Sequence, residues 1–254
     1  MSAPAGRREA RVSGRVSVGA YTVLQVAYSA DAPPLPGQFY MLAARDRWGG
    51  GDGERPFLPR ALSVMRVGPA GELQFLLEDV GPGTRRLCEL DDGDALWLCG
   101  PLGQGFVDSG GPALLVGGGV GAAPLAILQD SLSDARVVLG FRDRACAAAA
   151  ELLQGALVAT EDGSVGRRGL VTELLREELD GAAAPAVVCA CGPEPMLAAV
   201  AELCGARGVR AQLALEAPMA CGFGACYGCV VDTRTGFRRV CIDGPVFDAE
   251  ELAG

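Results

Sequence analysis

Apolar and polar positions change rhythm once along this chain. From about Arg11 to Cys99, short runs rich in Val, Leu, Tyr and Phe are broken by Gly, Pro and Asp. They read as strands at Arg15–Val18, Thr22–Tyr28, Gln38–Ala43, Ala61–Val67, Leu73–Glu78 and Ala95–Cys99, with turn residues such as Pro33-Pro34 and Asp92-Gly93 between them. Strands in succession without long helices predict a small antiparallel barrel. Arg45 to Arg55, which holds three consecutive glycines, is expected to be a mobile loop.

Beyond Gly100-Pro101-Leu102-Gly103 the texture differs. Strand-like Ala113–Val116, Arg136–Leu139, Ala156–Thr160, Ala186–Ala190 and Val209–Leu215 alternate with helical Pro124–Leu132, Cys146–Leu153, Leu170–Leu179 and Pro195–Cys204. That alternation predicts βαβ units in a doubly wound parallel sheet. The expected fold class is therefore β followed by α/β. The expected divisions are a barrel over residues 1–107, an α/β domain over 108–216 and a C-terminal segment over 217–254. The last is too short to build its own core, so it should depend on a metal staple and on packing against the rest.

Composition narrows the chemistry mainly by what is missing. The chain has 254 residues and a formal charge of −9, with no basic run, which disfavours nucleic-acid binding. No apolar run reaches the length of a membrane span, and Met1 to Val18 lacks a hydrophobic signal core, so a cytoplasmic location is expected. Histidine and lysine are both absent. This removes Ser-His and Cys-His nucleophiles, Rieske ligation, His-bound zinc, the Walker lysine and Schiff-base chemistry. Any enzymatic chemistry must be carried largely by cofactors.

The densest chemical signal is Cys221-Gly222-Phe223-Gly224-Ala225-Cys226-Tyr227-Gly228-Cys229, followed by Cys241. The C-x4-C-x2-C…C spacing suits four thiolates on a [2Fe-2S] cluster, with Cys221, Cys226, Cys229 and Cys241 as ligands. Small intervening residues let backbone amides approach the sulfur atoms. A structural zinc site and a pair of disulfides are the alternatives. Zinc usually takes two separated Cys pairs, and disulfides need an oxidising compartment. Cys88, Cys99, Cys146, Cys189, Cys191 and Cys204 read as reduced, buried thiols.

Leu114 to Pro124 runs as a strand, the turn Gly117-Gly118-Gly119-Val120-Gly121 and a helix start. Gly118, Gly119 and Gly121 would let the backbone approach a pyrophosphate. Arg142, Asp143 and Arg144 lie where a ribose-reading residue is expected. An acid there suits a 2′-hydroxyl and an arginine a 2′-phosphate, so NAD and NADP both stay open. In the barrel, Arg60 to Ser63 and Gly83-Thr84 carry donors that can bind a diphosphate.

Taken together, Arg-x-x-Ser, Gly-x-Gly-Thr, the glycine turn and Cys191-Gly192-Pro193-Glu194-Pro195-Met196 resemble the ferredoxin–NADP reductase superfamily. The block from Glu216 to Cys229 and the stretch Val240 to Phe247 narrow the resemblance. With Thr160 to Ser164 and Gly169 to Thr172, they are similar to the family of electron transfer subunits of dihydroorotate dehydrogenase B. The resemblance implies FAD held by Arg60, Ala61, Leu62, Ser63, Gly83 and Thr84, with Leu76, Leu77 and Glu78 lining the flavin. It implies a nicotinamide nucleotide, NAD as substrate, near Cys191, Gly192 and Pro193. Ala61 stands where the family has proline, and Leu62 where the wider superfamily has a stacking tyrosine.

The implied partner is an FMN-containing dihydroorotate dehydrogenase catalytic subunit, in a heterotetramer of two of each. Electrons would pass from that FMN through [2Fe-2S] and FAD to NAD⁺, in pyrimidine (UMP) biosynthesis. The alternatives are a FAD/[2Fe-2S] NAD(P)H-oxidoreductase subunit of a hydrogenase, sulfide dehydrogenase or transhydrogenase-like complex, an oxygenase reductase, and a zinc-stapled binding module.

Overall fold

The computed structural model describes residues 6–28, 33–49, 55–181 and 183–253. Residues 50–54 of the expected mobile loop lie outside the described residues. The first half of the chain forms β1 (Arg7–Val18), β2 (Tyr21–Ala27), β3 (Phe39–Ala44), β4 (Arg60–Ser63), β5 (Arg66–Val67), β6 (Leu73–Glu78) and β7 (Ala95–Leu102), with helix α1 (Pro82–Cys88) before β7. The sheet order is β4-β3-β7-β1-β2-β6-β5, and every pairing is antiparallel.

The two edge strands β4 and β5 are consecutive in the chain, so the chain itself closes this sheet. Val64 N–H donates to the Gln38 carbonyl (3.1 Å) beside β3, and Met65 N–H donates to the Gln74 carbonyl (2.8 Å) on β6. Between those two residues the strand changes partners, which is why the expected strand Ala61–Val67 appears in two pieces. Closure removes the exposed edges of an open sheet. Inside, Tyr40 is enclosed between Tyr28 and Phe75, with both ring pairs edge-on at 5.9 Å. Leu87 of α1 joins the same core, so the helix plugs the barrel.

The second half holds β8 (Ala113–Gly118), α2 (Ala122–Ser131), β9 (Ala135–Phe141), α3 (Arg144–Ala147), β10 (Leu157–Thr160), β11 (Arg167–Arg168), α4 (Val171–Asp180), β12 (Val187–Cys191), α5 (Glu194–Gly205) and β13 (Arg210–Ala214). A 3-10 turn over Ala148–Leu152 follows α3, where a single helix was expected. Order runs β11-β10-β9-β8-β12-β13, all parallel, with a strand over Val246–Asp248 (β16) added antiparallel beside β13. Chain direction across the sheet reverses between β8 and β12, the switch point outside which open α/β sheets bind ligands. The β8 and β12 side chains are entirely buried, as expected of strands covered on both faces.

The C-terminal part adds a hairpin, β14 (Val230–Thr233) and β15 (Gly236–Arg239), a helical turn α6 (Val240–Asp243) and β16 (Val246–Asp248). β16 pairs antiparallel to β13, placing Phe247 opposite Leu213. Cys229, Val240, Cys241 and Phe247 share one buried cluster with Phe39, Met41 and Leu102 of the barrel. Arg66 ties the two halves together through a two-toothed pair with Asp130 (2.6 and 3.2 Å) and a bond to the Leu152 carbonyl (2.7 Å). Among the described residues no helix is long and apolar enough to cross a membrane.

Candidate functional site

Three features lie along the seam between these parts. The first is the cysteine loop. Its backbone is left-handed at Gly222 (φ +79°), Gly224 (φ +84°) and, unusually for a side-chain-bearing residue, Tyr227 (φ +57°). Glycine is favoured at Gly224 by its left-handed φ, and a Cβ there would also sit 2.1 Å from Cδ1 of Ile242, which would have to move. Arg239 braces the loop. Its Nη1 donates to the Gly224 carbonyl (3.3 Å) and its guanidinium lies 5.1 Å from the Tyr227 ring centre.

The four thiols stand as two pairs, Cys221 with Cys226 and Cys229 with Cys241, each in hydrogen-bonding contact. Backbone amides point at them: Gly228 N–H at Cys226 Sγ (3.4 Å) and Cys241 N–H at Cys229 Sγ (3.5 Å). Burial opposes ionisation of Cys221. Amides of Cys226, Phe223 and Ala225 outweigh it and pull the thiol down to about 7. Cys241 is pushed up to about 12 by burial and by its neighbour Cys229. Among the described residues no three His, Cys, Asp or Glu side chains gather as a single ion would require. An all-sulfur set in two pairs with amide donors fits a binuclear iron–sulfur cluster, which Cys221, Cys226, Cys229 and Cys241 would hold. Cys226 is exposed, as are Phe223 and Tyr227 beside it, while Cys229 and Cys241 are buried.

The second feature is a small cavity of about 220 Å³ lined by Ala61, Leu62, Ser63, Leu76, Cys191 and Glu216, among others. Burial raises the Cys191 thiol. Glu216 was not foreseen as a site residue. Although it is exposed by surface area, protein crowds its carboxyl and raises its pKa. At the barrel's far corner Arg60 lies against Gly83, where a Cβ would come within 2.3 Å of its Nε. Thr84, expected to offer a free hydroxyl, uses it locally. Its Oγ1 accepts from Val80 N–H (3.0 Å) and donates to the Gly81 carbonyl (3.2 Å). Leu77 reaches neither cavity and packs in the barrel core, because it alternates with Leu76 along β6.

The third feature is a cavity of about 490 Å³ at the carboxyl ends of β8, β9 and β12. Gly118, Gly119 and Pro193 line it directly. Gly121 and Gly192 stand behind the wall. A Cβ on Gly121 would lie 2.2 Å from the Cys191 carbonyl oxygen, so only glycine lets the start of α2 close on β12. Glu78 and Tyr21 enter from the barrel, and Arg142 Nη2 donates to Glu78 Oε1 (2.8 Å). Asp143 turns away. Its Oδ1 accepts from Cys146 N–H (3.0 Å) as the cap of α3, and that bond lowers its pKa.

Of the remaining thiols, Cys146, Cys189, Cys191 and Cys204 are buried as expected. Cys88 and Cys99 are only half-buried. No disulfide forms among the described residues.

A closed antiparallel barrel joined to a sheet of this order has close structural parallels. The NADH-dependent reduced ferredoxin-NADP oxidoreductase superposes with a TM-score of 0.81 at 25% identity, over 100% of this chain and 91% of that one. A ferredoxin NADP+ reductase from Neisseria gonorrhoeae, solved with FAD and NADP, matches at 0.63 and 17% identity over 80% of this chain and 92% of that one. The fold is therefore that of the FAD- and NAD-binding reductases.

Residues 216–253 match the iron-sulfur cluster binding domain of dihydroorotate dehydrogenase B. The electron transfer subunit of dihydroorotate dehydrogenase B (NAD(+)) from Caldanaerobacter subterraneus subsp. tengcongensis is 40% identical over 230 residues, covering 86% of this chain and 87% of that protein. The corresponding subunit from Bacillus velezensis is 39% identical over 240 residues, with 86% and 87% covered. The chain belongs to the family of electron transfer subunits of dihydroorotate dehydrogenase B (NAD⁺). It is an oxidoreductase subunit of pyrimidine biosynthesis, with an iron–sulfur segment on an FAD- and NAD-binding fold, and it implies a catalytic partner subunit.

Proposed function

We propose that this chain, working in the cytoplasm, carries electrons from the FMN of a dihydroorotate-oxidising subunit through the four-cysteine loop and the small cavity to NAD⁺. Two copies of each chain would form the working assembly. The observation that carries this reading is the lining of the 220 Å³ cavity. Leu62 and Ser63 come from the barrel, Val120 and Cys191 from the α/β half, and Ala217, Met219 and Pro245 from the cluster segment. It touches every part of the molecule, as an electron junction requires. Residues 1–107, 108–216 and 217–254 then serve as flavin, nucleotide and cluster domains.

Each part has its own task. Cys221, Cys226, Cys229 and Cys241 would hold the cluster, with the exposed Cys226 edge and the apolar Phe223 and Tyr227 facing the partner. Ala61, Leu62, Ser63 and Leu76 form the barrel wall for the flavin ring, and Leu77 backs that wall from the core. Arg60 against Gly83 and Thr84 supplies the cationic corner for the FAD diphosphate. Gly118, Gly119, Gly121, Gly192 and Pro193 shape the nucleotide cavity, with Cys191 behind them. A bound flavin exchanges electrons in pairs with nicotinamide and singly with an iron–sulfur cluster, a conversion neither of those groups provides. The proton chemistry of dihydroorotate oxidation is assigned to the partner, which would bind that substrate beside its own FMN.

The test is to co-purify the chain with its FMN-containing partner and measure flavin, iron, acid-labile sulfide and dihydroorotate-dependent NAD⁺ reduction. One FAD, two irons and two sulfides per copy of this chain are expected from a single FAD and a [2Fe-2S] cluster, about one set per chain. A colourless chain, or a complex that does not reduce NAD⁺ with dihydroorotate, overturns the reading.

A further inference from the structure

The 490 Å³ cavity contains a charge arrangement that its α/β walls alone do not provide. This argument rests on reading that cavity as the nicotinamide-nucleotide site. In a sheet of this order, the residue after the second strand reads the adenosine ribose. An acid there accepts from the 2′- and 3′-hydroxyls, whereas an arginine favours a 2′-phosphate. The second strand here is β9, which ends at Phe141, and the next three residues are Arg142, Asp143 and Arg144. By residue type alone they leave both nucleotides open.

The structure redistributes them. Asp143 is withdrawn as the cap of α3, and Arg144 donates to the Ser164 carbonyl. Only Arg142 lines the cavity, and its guanidinium is already engaged by Glu78, 2.8 Å away on β6 of the barrel. The same Nη2 reaches Cys146 Sγ (3.5 Å), which in turn bonds the Tyr21 hydroxyl. These contacts draw one edge of the guanidinium, its Nη2, towards the barrel wall. A second carboxylate, Glu161, lines the cavity from the end of β10. Arg142 is therefore the one cation among the lining residues, facing two carboxylates.

We propose that Glu78, delivered from the barrel, is the residue that selects NAD over NADP. Its carboxylate occupies the one guanidinium a 2′-phosphate could use and supplies the ribose-reading acid that β9 lacks. A diol meets hydrogen-bond acceptors in this cavity, whereas a phosphate dianion meets like charge. Glu78 is thus a specificity residue for the nucleotide, although its sequence position suggested a flavin contact. The Arg142 side chain is 67% exposed and that of Glu78 26%, so the discrimination should be sensitive to salt.

The experiment uses the cofactor-loaded chain with its partner, comparing NADH- and NADPH-dependent ferricyanide reduction. Glu78→Gln should raise the NADPH-to-NADH ratio of kcat/KM roughly fivefold to tenfold at low ionic strength, a gain that shrinks as salt is added. Adding Arg142→Ala to that variant should return the ratio towards the starting value, because the freed guanidinium is what the phosphate uses. Binding of NAD⁺ and NADP⁺, followed by flavin fluorescence, repeats the comparison for Glu78→Ala should the first variant fold poorly. Thr172→Trp, which fills the cavity from the first turn of α4, should weaken both nucleotides. If Thr172→Trp weakens both while Glu78→Gln leaves the ratio unchanged, the selector assignment is wrong and the site stands. If Thr172→Trp affects neither nucleotide, the site reading fails and takes the proposal with it.

Discussion

Two regions of this molecule hold closely spaced cysteines, and they treat them in opposite ways. In β12, Cys189 and Cys191 sit on a central parallel strand between β8 and β13. Their backbone amides belong to the ladder, and burial pushes the Cys189 thiol up to about 12. In the loop from Cys221 to Cys229 the backbone has no ladder, and its amides turn to sulfur instead. There the Cys221 thiol is drawn down to about 7. A strand commits its N–H groups to its neighbours, and a glycine-rich loop leaves them for a ligand. Backbone commitment, more than residue type, separates a core thiol from one held ready for a ligand.

The sharpest way to break this comparison is to exchange one sulfur in each region. Cys226→Ser should lose nearly all iron and acid-labile sulfide while flavin content is retained, because the 220 Å³ cavity proposed for the flavin has no loop cysteine in its lining. Cys189→Ala should retain both and cost stability of only roughly 1 kcal/mol. Iron analysis and the visible spectrum read both outcomes. Full iron in Cys226→Ser, or lost iron in Cys189→Ala, would erase the distinction.

A smaller effect is expected from altering the backbone without touching sulfur. Gly224→Ala places a methyl 2.1 Å from Ile242 Cδ1 at a φ of +84°. It should lower cluster occupancy and stability by about 1–3 kcal/mol, seen as a depressed Tm and faster iron release to a chelator. Arg239→Ala removes the brace from the Gly224 carbonyl and the Tyr227 ring, leaving all four thiols in place. Iron release should accelerate roughly twofold to fivefold, consistent with a partly exposed cation–π contact. A release rate equal to the parent's would show that the loop holds its shape unaided.

The difference between these regions also explains what could be read from the residues alone. The grouping of the loop thiols was legible because Cys221, Cys226 and Cys229 are neighbours in the chain, as were the strands whose apolar runs end in turns. The helix α1 was hidden by Gly81-Pro82-Gly83, which reads as a turn. Proline nevertheless fits a first helical turn, and Leu87 anchors the helix in the barrel core. The first half of β1 was hidden by Arg7, Arg8, Glu9 and Arg11. It exists because it pairs with β7, far along the chain, and buries Ala10 and Val12. Glu216 at the small cavity and the bond between Glu78 and Arg142 escaped for the same reason. Each joins residues from separate sheets, and no local pattern records such a meeting.

An effect invisible near neutral pH lies in the alkaline limb of stability, where the buried strand should show itself. Cys189 titrates near 12 in the folded chain, whereas its ordinary value is 9.0, and burial is the main cause. Below about pH 9 the thiol is protonated in both folded and unfolded chains, so it adds no pH dependence. Between about 9 and 12 the unfolded chain gives up the proton while the folded chain keeps it. Stability must then fall as pH rises, by up to about 1.4 kcal/mol per pH unit for one such group. Other buried thiols and tyrosines contribute to the same limb, so the informative quantity is the difference between parent and variant. Cys189→Ala should flatten the dependence of Tm on pH above 9 by one proton's worth and leave it unchanged between pH 6 and 8. An identical alkaline slope in both proteins would mean that the strand does not hold this thiol neutral. The contrast between the two cysteine regions would then rest on ligand geometry alone.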